Sequence, residues 1–547
     1  MSLIENLFSA IHSHLSNDNI ISYVATGAAV TASGYLLRQV LGGRREPAGP
    51  PRVPYTIPFI GHTLELNKNP RKFLKECNAK YGETYFIHVL GAETLVTQGK
   101  LGYEVMRADS DLSMEGTLRD ILHLDKLLPE EVFGFKDINA ASMRIYYTPN
   151  RLHKHTEDIQ IAAKEALDDL FGYLPEPKKL DIPHKTLHRI IARISARLFI
   201  GPEHNQEVVD SMALFTGDVM KAAGVLTMTP SFLRKTALKY TTNIPHHHQV
   251  MRKHVKPIIE ERMRQKNDDA YIKKEDYIEW MMEWENEFPD LTADHNSKGA
   301  CGSRVLNLFI SLFPTLLFPI KLALWPLMQS FASINSTSAS CAWAINWMVA
   351  RPDVYEVLMR EIGELLPNDD DVITHEIVLQ MDHMDAFLRE VLRHGAENLG
   401  LRKVAMRDYV FSDGTLLKKG KVVCVQELQL NFLKKNADGT MTYEDTFDPW
   451  RTMHQKTKNS VNGAADHVIF GLGKHQAKLH GRSENHSKHM CPGRYLAVYV
   501  MKIVLTYLLK RYKFQTVNGA APVRPVDYLW GMIAIPMIQP LEFSNRK

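Results

Sequence analysis

Residues 489–497 are HMCPGRYLA, and the apolar run YLAVYVMKIVLTYLL continues from residue 495. The run has an apolar helical pattern, so Cys491 stands just before a helix start. Backbone N–H groups and the positive end of the helix dipole favour a thiolate over a thiol at such a position. A thiolate in this setting is either a nucleophile or a soft metal ligand.

Three other motifs precede this cysteine. FLREVLRH carries Glu390 and Arg393, which lie three residues apart on one face of a predicted helix and can pair there. FDPWR ends in Arg451, and FGLGKH begins with Phe470. Each motif alone is unremarkable, because an exposed Glu–Arg pair at this spacing is common and contributes little stability. Their order is the informative feature.

The order E-x-x-R, F-x-x-x-R, Phe-Gly-x-Gly and Cys-x-Gly-Arg resembles that of the cytochrome P-450 family of haem-thiolate monooxygenases. The resemblance covers the whole chain and implies a mainly α fold with a minor β portion, holding haem b. It implies these roles: Cys491 as axial iron ligand, Phe470 near the sulfur, Arg402 and His489 at the haem propionates, and Glu390, Arg393 and Arg451 as a buried ion network behind the haem.

The segment ASINST (332–337) stands where the family has its oxygen-handling helix, with the pattern [AG]-G-x-[DE]-T-T. Asn335 replaces the usual acid and Ser336 the usual threonine, and the resemblance makes both catalytic candidates. An amide cannot relay a proton by ionising, whereas serine keeps the hydroxyl. The alternative is a helix kinked by small polar residues.

The N-terminal region contains 18 uncharged residues, Ile20–Leu37, that would span roughly 27 Å as a helix. Three arginines follow, so the positive-inside rule keeps the rest of the chain on the cytoplasmic side. We therefore predict a membrane anchor with a basic flank over residues 1–45 and a cytoplasmic catalytic domain over 46–547. The anchor would be a single-pass transmembrane helix in the endoplasmic reticulum, contacting lipid through Ile20–Leu37. A buried helix rich in Ala and Gly is the alternative.

Two segments depart from the family pattern. The signature F-x-x-G-x-x-x-C expects the cysteine at position 477, but that residue is Ala477 and Cys491 comes 14 residues late. Removing residues 476–489 and the apolar segment 299–321 leaves 510 residues with the family spacing. We hypothesise that both segments are retained introns or splice variants. Sequencing the transcript tests this, because an abundant message encoding both would contradict it.

Composition excludes several classes of protein. The formal charge of +4 comes from 66 basic and 62 acidic residues without a basic block, which argues against nucleic-acid binding. Five cysteines without a Cys-x-x-Cys pair argue against zinc modules and against an oxidised secreted scaffold.

The histidines 246–248 are predicted to lie in a solvated loop, because three consecutive side chains point in different directions.

The resemblance implies hydroxylation or another oxidation of a lipophilic small molecule: a terpenoid, a sterol-like compound or a xenobiotic. Electrons would come from a separate NADPH–cytochrome reductase, since the length leaves no room for a flavin or nicotinamide domain. The pattern is similar to fungal membrane-bound members of secondary metabolism. Two alternatives stay open. One is a haem-thiolate isomerase or dehydratase that needs no O2 and tolerates Asn335 and Ser336; the other is a haem-free, non-catalytic membrane protein, suggested by the insert before Cys491.

Overall fold

The structure is a computed structural model, and it describes the following residues: 49–108, 111–120, 122–128, 142–229, 233–266, 268–287, 319, 322–368, 370–395, 399–435, 441–453, 455, 459–464, 466–472, 490–521, 528–529, 533–534 and 539–546.

Helices dominate this part of the chain, as predicted. In chain order they are α1 Thr63–Lys68, α2 Pro70–Tyr81, α3 Gly99–Arg107, α4 Met114–Asp120, α5 Leu124–Leu127, α6 Thr156–Leu170, α7 Pro183–Ile200, α8 Gln206–Met228, α9 Arg234–Thr241, α10 Ile244–Gln265, α11 Tyr277–Glu287, α12 Trp325–Ala350, α13 Pro352–Leu365, α14 His375–Gln380, α15 Asp382–His394, α16 Glu427–Phe432 and α17 Arg494–Arg511.

The strands are short and make up the minor β portion. They are β1 Thr84–Val89, β2 Ala92–Thr97, β3 Leu112–Ser113, β4 Lys178–Leu180, β5 Gly400–Ala405, β6 Tyr409–Val410, β7 Leu416–Leu417, β8 Val422–Val425, β9 Leu433–Lys435, β10 Met441–Tyr443, β11 Tyr512–Thr516, β12 Tyr528–Leu529, β13 Ile533–Ala534 and β14 Leu541–Asn545.

Helix α12 runs through the core and packs against α7, α8 and α17. It begins with a proline in its first turn, where the missing N–H costs nothing, and it ends at Ala350 because Pro352 starts the next helix. Its many Ala and Ser residues present little bulk, so neighbouring helices approach closely. Helix α17 is apolar on nearly every side and correspondingly buried. These helices position the site.

The main sheet has the order β1-β2-β8-β5-β3 and joins distant parts of the chain. Strands β1 and β2 form an antiparallel hairpin, and β2 pairs in parallel with β8, Thr94 opposite Val422. Asp413 and Gly414 form the turn between β6 and β7, where Gly414 has φ of 88° and Phe411 N–H donates to Thr415 O.

The prediction of a solvated loop at 246–248 is wrong. These residues lie in the first turns of α10, where Pro245 occupies a position that suits its fixed φ. His247 is buried, its Nε2 lies 2.9 Å from Asp218 Oδ2, and its Nδ1 lies 2.9 Å from Ser211 Oγ. On a helix, the three side chains point to different environments, and one of them faces the core.

The predicted anchor Ile20–Leu37 lies outside the described residues. So do all of 476–489 and all of 299–321 except Pro319. Among the helices that the structure does describe, none has the length and apolar character needed to cross a membrane.

Candidate active site

Glu390 is at the centre of a buried ion network. Arg393, one turn further along α15, donates to both carboxylate oxygens at 2.8 and 2.7 Å, and Arg451 donates to Oε2 at 2.8 Å. Burial opposes the charge on Glu390, but the hydrogen bonds from Arg393 and His394 and the two guanidinium charges hold its pKa far below the usual range. The structure therefore brings together the three residues that the sequence grouped from separate motifs.

Arg393 also ties the network to the backbone of the following loop. Its guanidinium donates to the carbonyl oxygens of Glu444 and Thr446 at 2.8 and 2.9 Å. A planar guanidinium can serve a carboxylate and several carbonyls at once. The network thus fixes the path of the segment that carries Arg451.

Cys491 lies just before α17, as predicted. Its backbone N–H donates to Phe470 O at 2.8 Å, which joins the Phe-Gly-x-Gly loop to the cysteine. Gly471 follows with φ of 83°, a conformation that favours glycine. The side chain of Cys491 is exposed and lines a cavity.

The wall of this cavity is mostly apolar. It is formed by Met143, by α7 and α12, and by the first two turns of α17 with the residues just before them. The lining residues are Met143, Ile191, Ile194, Ser195, Leu198, Phe199, Gln329, Ala332, Ser333, Ser336, Thr337, Cys491, Pro492, Gly493, Leu496, Ala497 and Val500.

Burial raises the pKa of the Cys491 thiol. The backbone N–H groups of Gly493 and Arg494 and the charges of Arg494 and Arg144 act in the opposite direction, but they do not compensate for the lost solvation. The helix start therefore does not by itself produce the thiolate that the sequence argument expected. A bound cation would supply the missing stabilisation.

The two catalytic candidates on α12 have different environments. Ser336 lines the cavity, and its hydroxyl donates to Ala332 O at 2.9 Å. Asn335 is not part of the cavity lining, and its carbonyl oxygen accepts a hydrogen bond from Ser338 Oγ at 3.1 Å. The structure thus places Ser336, but not Asn335, beside Cys491.

Sequence reasoning missed Gln329, Ser333 and Thr337 on the same wall. Their spacing of four residues puts them on one face of α12. This four-residue spacing can be read from the sequence, but the family pattern singles out only positions 335 and 336 as catalytic candidates.

The two predicted propionate ligands differ in what the structure describes of them. Arg402, on β5, donates from Nε to Cys424 Sγ at 3.1 Å and is absent from the cavity lining. His489 lies outside the described residues. Phe470 is partly buried, with its ring edge-on to His467 at a centroid distance of 6.2 Å.

The residues present fit a haem. An accessible cysteine lines the cavity, apolar side chains cover most of the wall, and small residues of α12 line the same cavity. Thiolate sulfur is a ligand of haem iron, and a dry apolar wall suits a porphyrin face. Cys491 is the residue that would hold the iron.

Comparisons with known proteins agree with this site. The family model described as Cytochrome P450 matches residues 319–431. Cytochrome P450 monooxygenase penP of Penicillium crustosum is 25% identical over 475 residues, which cover 82% of this chain and 83% of that protein. Cytochrome P450 monooxygenase 110 of Postia placenta is 24% identical over 88% of this chain and 91% of its own length.

The fold has a solved counterpart. The retinoic acid-bound cyanobacterial CYP120A1 superposes with a TM-score of 0.61 over 91% of this chain and 99% of its own, at 16% sequence identity. This likeness confirms the predicted fold. Together, the cavity, the motif order and these relatives show that the chain is similar to the cytochrome P450 monooxygenases.

Proposed function

We propose that the enzyme oxidises a bulky lipophilic small molecule of the terpenoid or sterol-like class. The observation that carries this proposal is the wall beside Cys491, where apolar side chains from three elements face the cavity and the polar groups are confined to a few hydroxyls and one amide. Such a wall selects apolar ligands by removing their surface from water, while a few polar groups orient them. The relatives from two Penicillium species are named cytochrome P450 monooxygenases, which supports an oxidation.

Different residues of the cavity would hold the haem and keep water out during the reaction. When bound, haem supplies the iron chemistry that activates dioxygen with two electrons from an NADPH-dependent reductase. Cys491 would hold it through the sulfur, and Ile191, Ile194 and Leu198 keep water from the cavity. The overall reaction consumes substrate, O2, two electrons and two protons, and releases the hydroxylated product and water. The two protons must reach the cavity through groups of the protein.

We propose further that the enzyme is held at the endoplasmic reticulum membrane through Ile20–Leu37, with residues 46–547 on the cytoplasmic side. The support is the uncharged length of this segment and the arginines that follow it. A lipophilic substrate partitions into the bilayer, so an anchored enzyme meets it at high local concentration. Flotation of the full-length chain with vesicles, compared with a chain lacking residues 1–45, tests the anchor.

The first experiment is the absorption spectrum of the reduced, carbon-monoxide-bound protein. We expect the strongly red-shifted Soret band of thiolate-ligated haem, and its loss in Cys491→Ser. Cys341→Ser is a matched control, because that cysteine is buried in α12 away from the cavity. A full-length chain that binds no haem, or binds it through histidine, would contradict the proposal. Turnover of a terpenoid or sterol panel that requires NADPH and reductase would then define the substrate class.

A further inference from the structure

The connection between Phe470 and Cys491 is longer in this chain than the family signature allows. Cys491 follows Phe470 by 21 positions, whereas F-x-x-G-x-x-x-C places the cysteine 7 positions after the phenylalanine. The effective concentration of two tethered groups falls as about the −3/2 power of the tether length, so a threefold longer connection lowers it about fivefold. The length of the chain alone therefore holds Phe470 at Cys491 less firmly than the family pattern would.

Two contacts nevertheless join the Phe470 segment, residues 459–464 and 466–472, directly to the start of the cysteine helix. Cys491 N–H donates to Phe470 O at 2.8 Å. Gly463 packs against the residue before the cysteine, because a Cβ at this position would lie 3.1 Å from Met490 Cε and 2.9 Å from Gly471 O. The two sides of the long connection are thus in close contact, although the chain between them does not enforce it.

Asp385 on α15 binds both sides at once. Its Oδ2 accepts a hydrogen bond from the backbone N–H of Ser460 at 2.9 Å, and its Oδ1 accepts one from Ser460 Oγ at 2.7 Å. Lys502 on α17 is buried, and its Nζ lies 3.0 Å from Asp385 Oδ1. Burial opposes the charge on Asp385, but Lys502 and the hydrogen bonds from Ser460 hold its pKa below the usual range. One carboxylate therefore ties the base of the Phe470 segment to the helix that follows Cys491.

Arg389 lies one turn after Asp385 on α15 and binds the same segment. Its Nη1 donates to the carbonyl oxygens of Asn459 and Asn462 at 2.7 and 3.1 Å. His467 closes the segment on itself, with Nε2 lying 3.0 Å from Ser460 O. None of these hydrogen bonds belongs to the Glu390 network, so α15 holds the Phe470 segment through a second, separate set of contacts.

We propose that Asp385 is a positioning residue that sets the register of Phe470 against Cys491, so that the haem site tolerates the extra residues 476–489. The carboxylate fixes both sides to α15 whatever the length of chain between them. Without those residues, the short connection would itself keep Phe470 close to Cys491, and Asp385 would matter less. The inference rests on the proposed haem-thiolate function.

The test combines Asp385→Asn with a change in the length of the connection. The full chain and a chain lacking residues 476–489 are each prepared with and without the substitution. Two quantities are measured: the fraction of bound haem that shows the red-shifted carbon-monoxide band, and the rate at which haem passes to excess apomyoglobin. The control is Asp276→Asn, because that buried carboxylate pairs with the buried Arg262 at 2.8 Å and is absent from the cavity lining.

In the full chain, we expect Asp385→Asn to lower the thiolate-ligated fraction and to accelerate haem loss several-fold. In the shortened chain, the same substitution should change both quantities by less than about twofold, since the effective concentration is already higher there. Asp276→Asn should retain wild-type values. Ser460→Ala removes the hydroxyl bond but keeps the backbone bond to Asp385, so it should produce a smaller effect of the same kind. This milder variant decides the question if Asp385→Asn does not fold.

The possible failures are distinguishable. Equal effects of Asp385→Asn in the long and the short chain, or wild-type values in both, would overturn this inference and leave the proposed function intact. The same holds if Asp276→Asn changes the thiolate-ligated fraction as much as Asp385→Asn does. A full-length wild type that binds no haem would overturn the proposed function and this inference together.

Discussion

At the scale of single residues, the stability of the site depends on the charge of Glu390. Its carboxylate is almost fully buried and satisfies Arg393 and Arg451 together. Glu390→Gln keeps the shape but leaves two guanidinium groups with a neutral partner. Removing one member of a buried ionic group costs about 3–5 kcal/mol, so we expect a loss of that size in the free energy of unfolding, measured with urea.

The control for this prediction is a more exposed ion pair on another helix. Lys256 and Glu260 form an i,i+4 pair on α10 at 2.8 Å, with both side chains substantially exposed. Glu260→Gln should change the free energy of unfolding by less than about 0.5 kcal/mol. Equal effects of the two substitutions would show that the Glu390 network is not the buried anchor that the structure describes.

At the scale of elements, α15 and α12 approach each other so closely that only glycine fits between them. A Cβ at Gly395, just after α15, would lie 2.1 Å from the buried ring of Trp343 on α12. Gly395→Ala must therefore displace a packed indole. We expect a loss of about 1–3 kcal/mol in the free energy of unfolding.

Gly363 in α13 provides the matched control. A Cβ there would meet nothing within 4 Å, and its φ is not positive. Because alanine is a better helix former than glycine by roughly 0.8–1.0 kcal/mol, Gly363→Ala should stabilise the protein slightly. A lower urea midpoint for Gly395→Ala together with a higher one for Gly363→Ala would confirm the close approach of α15 and α12.

Motif order identified the residues that carry charge or sulfur, because Glu390, Arg393 and Cys491 have chemistry that few arrangements can accommodate. Asn335 belongs to the motif but is absent from the cavity lining, so its catalytic role stays a prediction. A pattern gives positions along a helix, whereas the rotation of that helix depends on packing against α7 and α17. Arg402 shows the same limit, since its guanidinium direction depends on Cys424, 22 residues away.

At the scale of the whole molecule, buried histidines make stability depend on pH. Desolvation lowers the pKa of His155, His184 and His248 to about 4 and that of His467 to about 3. Between these values and 6.5, the unfolded chain binds more protons than the folded one, so stability falls as pH falls through this window. Asp276 acts in the opposite direction, because burial raises its pKa to about 7. We expect the histidines to dominate and the urea midpoint to decrease from pH 7 to pH 4.5.

His155 tests this origin directly. It is fully buried between Tyr147 and Trp280, and neither ring nitrogen has a partner among the described residues. His155→Leu removes one titrating group, so the dependence of unfolding free energy on pH should become less steep by up to about 1.4 kcal/mol per pH unit. If the unfolding free energy of His155→Leu depended on pH as steeply as that of the wild type, the assignment of this dependence to the buried histidines would be contradicted.

The pairing of β2 with β8 affects how the protein folds during its synthesis. Val96 lies opposite Cys424, so one edge of the first hairpin stays unpaired until a strand more than 300 residues further along the chain has been synthesised. At a synthesis rate of about 5–20 residues per second, this interval lasts on the order of tens of seconds. During that time, the apolar edge of β2 offers unpaired backbone groups to any other extended chain. The nascent polypeptide should therefore depend on chaperones until residues 422–425 leave the ribosome, and aggregation of truncated chains should cease only once that strand is present.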